Sequence, residues 1–250
     1  MDTPAATHLG FAHFIAQADG LAHFLLVVLL AMSVITWYLI VSKSLANLRM
    51  KKHAEAFLSR FWDAPGLPAV ADYLQNNGIN DPFSHLTHHG LKAAEQFRNK
   101  TGSRLVESGS EDEFLTRALR RAITQDTARL EYGQTMLASI ASSAPFVGLF
   151  GTVWGIYHAL VNIGMSGSGS LDQVAGPVGE ALIMTALGLA VAIPAVLSYN
   201  FFNRSKRQML TEVDGFAHDL FAFMSTGVRN NTRVHKDEAR VYTAPAARSA

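Results

Sequence analysis

The sequence predicts an all-α integral membrane protein with three transmembrane helices, two of them extended into a helical cytoplasmic domain. Three observations carry that expectation. Leu21 to Val41, Met136 to Ile163 and Ala181 to Asn203 hold no Asp, Glu, Lys or Arg, and each reaches the roughly 20 residues with which a helix crosses a bilayer. Most of the charges crowd instead into residues 43–133 and 204–240. Within those charged segments apolar residues recur three and four apart, the spacing of an amphipathic helix. The averages, 49% hydrophobic with a mean hydropathy of +0.14, describe neither half of so divided a chain.

Residues 1–20 carry Asp2 and Asp19 but no Lys or Arg. A cleavable signal peptide opens on a basic segment and has a shorter apolar core, so the first apolar block is expected to be retained. It forms transmembrane helix 1 over 21–41, after a periplasmic N-terminus over 1–20. A cytoplasmic helical domain follows over 42–135, with turns marked by Asn76-Asn77-Gly78 and Asp81-Pro82 and by Lys100-Thr101-Gly102-Ser103. Ser110 and Glu113 have the spacing of a capping box, and Leu115, Ala118, Leu119, Ala122, Ile123 and Leu130 then recur at helical spacing. A helix starting there could run unbroken into transmembrane helix 2 over 136–163.

A Gly/Ser-rich periplasmic loop over 164–177 leads to transmembrane helix 3 over 178–202, with Pro177 opening its first turn. The cytoplasmic remainder, 203–250, begins as a helix in which Leu210, Val213, Ala217, Leu220 and Met224 make a heptad-like seam. Packing on the 111–134 helix and contact between subunits both fit this seam. From about Arg229 the tail is polar and is expected to be disordered.

The flanks set the orientation. Lys43, Arg49, Lys51 and Lys52 follow the first crossing, Arg120, Arg121 and Arg129 precede the second, and Arg204, Lys206 and Arg207 follow the third. The link from Gly164 to Pro177 has no Lys or Arg. By the positive-inside rule the N-terminus and this link lie outside, and the large segment and the C-terminus lie in the cytoplasm.

Several functions are disfavoured. A net charge of +1 offers no basic face for nucleic acid. Without cysteine there is no disulfide and no thiolate metal site. His85, His88 and His89 share a helical face, but no carboxylate stands at a fitting spacing, so a solvated face is favoured over a metal site. No nucleophile motif, phosphate loop or zinc-protease signature is present, so neither an enzyme nor a cofactor is expected.

The polar residues of the spans carry the functional expectation. On the second span Ala141, Pro145, Gly148, Thr152 and Gly155 fall on one side and Phe146, Phe150, Val153 and Trp154 largely on the other. Small faces let membrane helices approach closely, so Thr152 is expected to point into protein. On the third span Thr185, Ala192, Val196 and Tyr199 lie within about 40° of one line, with Gly188 beside them. Each threonine hydroxyl either bonds back to its own helix or lines a pore or a helix-binding surface. Glu180, at the entrance of the third span, reads equally as a functional membrane carboxylate and as an interfacial residue favoured by the helix dipole. Hydroxyls titrate far from neutral pH, so a proton route here needs a carboxylate near mid-membrane. The chain has none, which predicts a partner helix.

Pro145-Phe146-Val147-Gly148-Leu149-Phe150-Gly151-Thr152-Val153-Trp154-Gly155-Ile156 in the second span resembles the MotA/TolQ/ExbB proton-channel family. So do Gly176-Pro177, Glu180-Ala181-Leu182-Ile183, Thr185-Ala186-Leu187-Gly188-Leu189 and Ala192-Ile193-Pro194-Ala195-Val196 around the third. Ser33-Val34-Ile35-Thr36-Trp37 and Ser42-Lys43-Ser44 resemble the ExbB branch more than the TolQ branch. The resemblance implies a bacterial inner-membrane homo-oligomer, a ring of five, enclosing single-span ExbD-like partners that supply a membrane aspartate. It implies that Thr152 and Thr185 line the proton path and that Glu180 tunes its interior or holds the assembly. Gly148, Gly151, Gly155, Pro145, Gly188, Ala192 and Pro194 would serve helix packing. Proton flow would drive a TonB-like protein; a TolQ-like envelope role and a non-conducting scaffold are the alternatives. The likeness fades over residues 53–110 and the tail, and nothing functional is carried over there.

Overall fold

The computed structural model describes residues 19–99, 110–166 and 171–227, with the side chains at 162, 166, 171–177 and 180 outside that description. Among the described residues six helices follow in order: α1 Gly20–Asp63, α2 Leu67–Asn77, α3 Pro82–Arg98, α4 Glu111–Glu131, α5 Gln134–Ser166 and α6 Leu171–Thr226. Among the described residues there is no strand, and three helices are long and apolar enough to cross a membrane. The N-terminal segment before Asp19, the expected turn at Lys100 to Ser103, residues 167–170 and the tail beyond Gly227 lie outside the described residues.

Two helix boundaries depart from expectation. α4 does not run on into the second span; the chain breaks at Tyr132-Gly133, where Gly133 adopts φ 75°. Glycine enters this left-handed region without steric cost, and the site is tight, since a Cβ there would stand 3.1 Å from the Leu39 side chain. α5 then continues to Ser166 and α6 starts at Leu171, so the expected 164–177 loop narrows and Pro177 sits inside a helix, not in its first turn. Where little water is at hand, backbone groups are satisfied only within the helix, so helices outlast the charge-free core.

The chain divides into two compact units, one of residues 1–48 and 131–206, the other of 49–130 and 207–250. In the first, Leu25 and Leu29 of α1 join Ile140 and Ala144 of α5 and Met184, Val191, Ala192 and Ala195 of α6 in one buried cluster. Phe146, Phe150 and Val153 are exposed on the opposite face of α5, as the bulky-side pattern predicts. On α6 the small face is centred on Ala181, Met184, Gly188, Ala192 and Ala195, whereas Val196, expected on the same line, is 40% exposed. The helix turned toward α5 is thus rotated from the line through the polar residues.

The second unit buries the aromatic cluster its sequence scattered over three segments. Phe216 of α6 meets Phe57, Phe61 and Trp62 of α1 and Phe83 of α3, mostly edge to face, the arrangement that aligns ring edge with ring face. Val213 and Leu220 share this core with Leu115, Leu119 and Ala122 of α4, so the seam expected on α6 packs within the chain. α3 begins where a turn was expected: Asp81 caps it, its carboxylate accepting from the N–H groups of Phe83 and Ser84, with Pro82 in the first turn. Ser110 accepts from the Glu113 N–H at 3.3 Å and starts α4.

Candidate functional site, a hydroxyl pair between two membrane helices

The site exists because two glycines bring α5 and α6 backbone to backbone. A Cβ on Gly148 would lie 2.6 Å from the Met184 carbonyl oxygen, and one on Gly188 would lie 2.7 Å from that of Ala144. Gly151 and Gly155 receive Met184 and Ala181 in the same way, with hypothetical Cβ contacts of 2.8 and 2.9 Å. Pro145 and Pro194 are half-buried and Ala192 is buried. Such an approach lets dispersion act between backbones where no hydrophobic force separates protein from lipid.

That contact sets the two hydroxyls side by side. Thr152 Oγ1 lies 2.5 Å from Thr185 Oγ1 and 3.2 Å from the carbonyl oxygens of Gly148 and Ala181. A threonine has one proton to donate. Thr152 can therefore back-bond to its own helix, cross to α6, or pass its proton toward Thr185, and these states differ by small hydroxyl rotations. The two residues are not equivalent. Thr152 is 6% exposed, whereas Thr185 is only half-buried and so is the member open to a further helix. The side chain of Glu180 lies outside the described residues.

At the end of the unit nearest Asp19, a cluster appears that the sequence did not flag. The Trp154 indole N–H donates to Asp19 Oδ2 at 3.1 Å, His158 Nε2 stands 3.7 Å from the same oxygen, and the Trp154 and His158 rings are 4.5 Å apart. The only signal was Trp154 and His158 four apart on one helical face. Asp19, 135 positions away from Trp154, gave none.

In the second unit the expected solvated histidine face is corrected. His85 is buried, and its Nδ1 lies 3.0 Å from Asp126 Oδ2 of α4. The carboxylate absent from the local spacing arrives from another helix. Burial raises the Asp126 carboxyl above its usual range, while the charge and hydrogen bond of His85 pull it back. His89 is lowered, first by burial and then by His85, His88, Lys92 and Arg121. Among the described residues no group of three such side chains is placed to hold a metal.

Among the described residues, three helices long and apolar enough to cross a membrane, two of them meeting at a hydroxyl pair, fit an integral membrane protein. The MotA/TolQ/ExbB proton channel family matches residues 80–214, and the chain belongs to that family. It is 42% identical over 233 residues to the biopolymer transport protein ExbB of Xanthomonas campestris pv. campestris (strain B100), covering 90% of this chain and 92% of that one. The ExbB of Neisseria meningitidis serogroup A is 43% identical over 194 residues, 78% of this chain and 87% of the relative. A Tol-Pal system protein TolQ from Pseudomonas aeruginosa is 32% identical over 234 residues, 92% and 99% of the two chains. The identities favour an ExbB-like proton-channel function over a TolQ-like one.

Proposed function

We propose that Thr152 and Thr185 line the proton path of an ExbB-like channel subunit, with Glu180 at its entrance. The observation that carries this reading is the hydroxyl pair itself: one member is enclosed and the other opens outward. Hydroxyls relay a proton but titrate far from neutral pH, so the path is completed by the membrane aspartate of a single-span, ExbD-like partner. The exposed apolar faces of α1, α5 and α6 then meet the bilayer and neighbouring copies in a homo-oligomeric ring of five. The assembly sits in the bacterial inner membrane with its N-terminus periplasmic and its C-terminus cytoplasmic, and passes the energy of proton flow to a TonB-like protein. It catalyses no covalent chemistry.

Proton uptake into vesicles holding the protein with its partner tests the path. Thr152→Val with Thr185→Val keeps shape and removes both hydroxyls, and flux is expected to fall by roughly tenfold or more, which corresponds to about 1.4 kcal/mol of barrier. Unchanged flux at normal protein levels would remove both threonines from the path and favour a non-conducting scaffold. The 92% coverage by a TolQ keeps a second role in play. A deletion strain separates them: loss of energised outer-membrane transport is the expected phenotype, and detergent sensitivity with normal transport marks the TolQ-like role.

Orientation has its own test. Since the chain has no cysteine, a single one placed at Met165, which is 80% exposed, reports the side it faces. Labelling by an impermeant reagent from the periplasm is expected; labelling only after the cytoplasmic face is opened would reverse the topology.

A further inference from the structure

The three histidines of α3 take no part in the membrane site, yet the second unit assembles them into a row. The rings of His85 and His89 stand 4.5 Å apart, and those of His89 and His88 stand 5.9 Å apart, both edge to face. One end of the row is anchored, since His85 is buried against the Asp126 carboxylate of α4 at 3.0 Å. His89, in the middle, is half-buried.

The charges around His89 are of one sign. His85, His88 and Lys92 on α3 and Arg121 on α4 all act against a proton on its imidazole, and burial acts in the same direction. From α6, Leu220 and Met224 reach α3 at the adjoining Gly90, and neither is charged. The acids of this corner stand one contact further away. Asp126 lies beyond His85, where Arg129 and Asp81 act on it, and Asp81 is committed to capping α3.

α3 is poorly placed to absorb an added charge. Phe83, Ser84, His85, Leu86 and Thr87 are buried one after another, and Phe83 packs edge to face on Phe216 in the aromatic core. Gly90 and Leu119 bring α3 and α4 together one residue after His89, where a Cβ would stand 3.3 Å from the Leu119 side chain. A proton taken up at His89 therefore sets charge against charge beside a tight helix contact.

We propose that His89 is a proton-operated latch between α3 and α4: neutral, it lets the two helices close; protonated, it loosens them. An opened α3 binds the proton at the ordinary imidazole value near pH 6.5, whereas the closed helix binds it only at lower pH. The stability that His89 contributes is thus fully present above about pH 6.5 and is lost as pH falls through the folded value. Asp126 titrates with the opposite sign, because its raised carboxyl favours the folded state in acid. With the cytoplasmic placement proposed above, the latch responds to acidification of the compartment that inward proton flow enters. It needs only the fold of the second unit, so it stands or falls separately from the proton path.

Amide hydrogen exchange of the purified full chain in detergent tests the latch without any proton flux. Rates for α3 are compared at about pH 7.5 and pH 5.5 after correction for intrinsic exchange, so that they report local opening. Because Asp126 works the other way, the contrast with His89→Gln, which cannot take up a proton, isolates the imidazole. On acidification α3 of the wild type is expected to open roughly three- to tenfold more than α3 of His89→Gln. His89→Lys, charged at both pH values, is expected to exchange fast at both. Equal pH dependence in wild type and His89→Gln overturns the proposal, even if the variant exchanges faster throughout, since that pattern marks packing alone. If His89→Gln does not fold, Lys92→Gln with Arg121→Gln keeps the imidazole and removes two exposed charges that face it. The acid-induced opening is then expected to shrink by about half, and an unchanged response overturns the latch.

Discussion

Gly188→Leu is expected to force α5 and α6 apart and to cost roughly 3–5 kcal/mol, leaving little folded protein to purify. The expectation rests on what the new atoms would meet. A Cβ at Gly188 would sit 2.7 Å from the Ala144 carbonyl oxygen and 3.0 Å from the Gly148 Cα, both backbone atoms that no rotamer change moves aside. Relief requires shifting a helix, and the shift separates Thr152 from Thr185. Gly215→Ala is the matched control: it lies on the same helix with nothing within 4 Å of its hypothetical Cβ. It is expected to be neutral or to gain about 0.5–1 kcal/mol from helix propensity. Thermal unfolding and the yield of monodisperse protein check both. A folded Gly188→Leu protein with wild-type stability would mean that the two helices do not meet at these glycines.

His85→Leu is expected to destabilise the second unit by about 3–5 kcal/mol at neutral pH, because it strands the buried Asp126 carboxylate without its partner. The pair spans two helices of that unit and both side chains are almost wholly enclosed. The size of the loss depends on pH in a defined direction. Burial holds the folded Asp126 carboxyl above the usual carboxylate range, and removing the His85 charge and hydrogen bond raises it further. A folded state that keeps its proton to higher pH than the unfolded chain is favoured in acid. That advantage is lost as pH rises from the unfolded value through the folded one. The His85→Leu defect should therefore be small below about pH 4 and grow toward neutrality. Combining it with Asp126→Leu removes the stranded charge and is expected to recover much of the stability. Denaturant unfolding across pH measures all three. A double variant no better than His85→Leu alone would show that the cost lies in packing and not in the charge.

Much of the architecture was legible because it is local. The uncharged runs named three spans from residue content alone, and the alternation of small and bulky residues on the second named the face that meets protein. The resemblance carried by Pro145 to Ile156 pointed to the family to which the chain belongs. The misreadings share one cause. Gly133 breaks the chain between α4 and α5, but a lone glycine between Glu131 and Gln134 is not a strong enough signal to end a helical pattern. Pro177 reads from the sequence as a helix start because proline favours first turns, but α6 carries it in its interior, where it forfeits one backbone hydrogen bond. The histidine face reads as solvated from local spacing because its carboxylate stands 41 positions away on another helix.

Hydropathy and periodicity report the environment of each residue averaged around its own helix. By themselves they settled that the chain is helical, that three segments suit a bilayer, and that two of those segments each carry a hydroxyl on a small-residue side. Which atoms face one another depends on the rotation and register of one helix against the next. Those are fixed by contacts such as Gly148 on Gly188 and Asn47 on Ser205, which join residues 40 and 158 positions apart. Only the tertiary structure could therefore decide that Thr152 is enclosed while Thr185 opens outward, and that Asp126 answers His85.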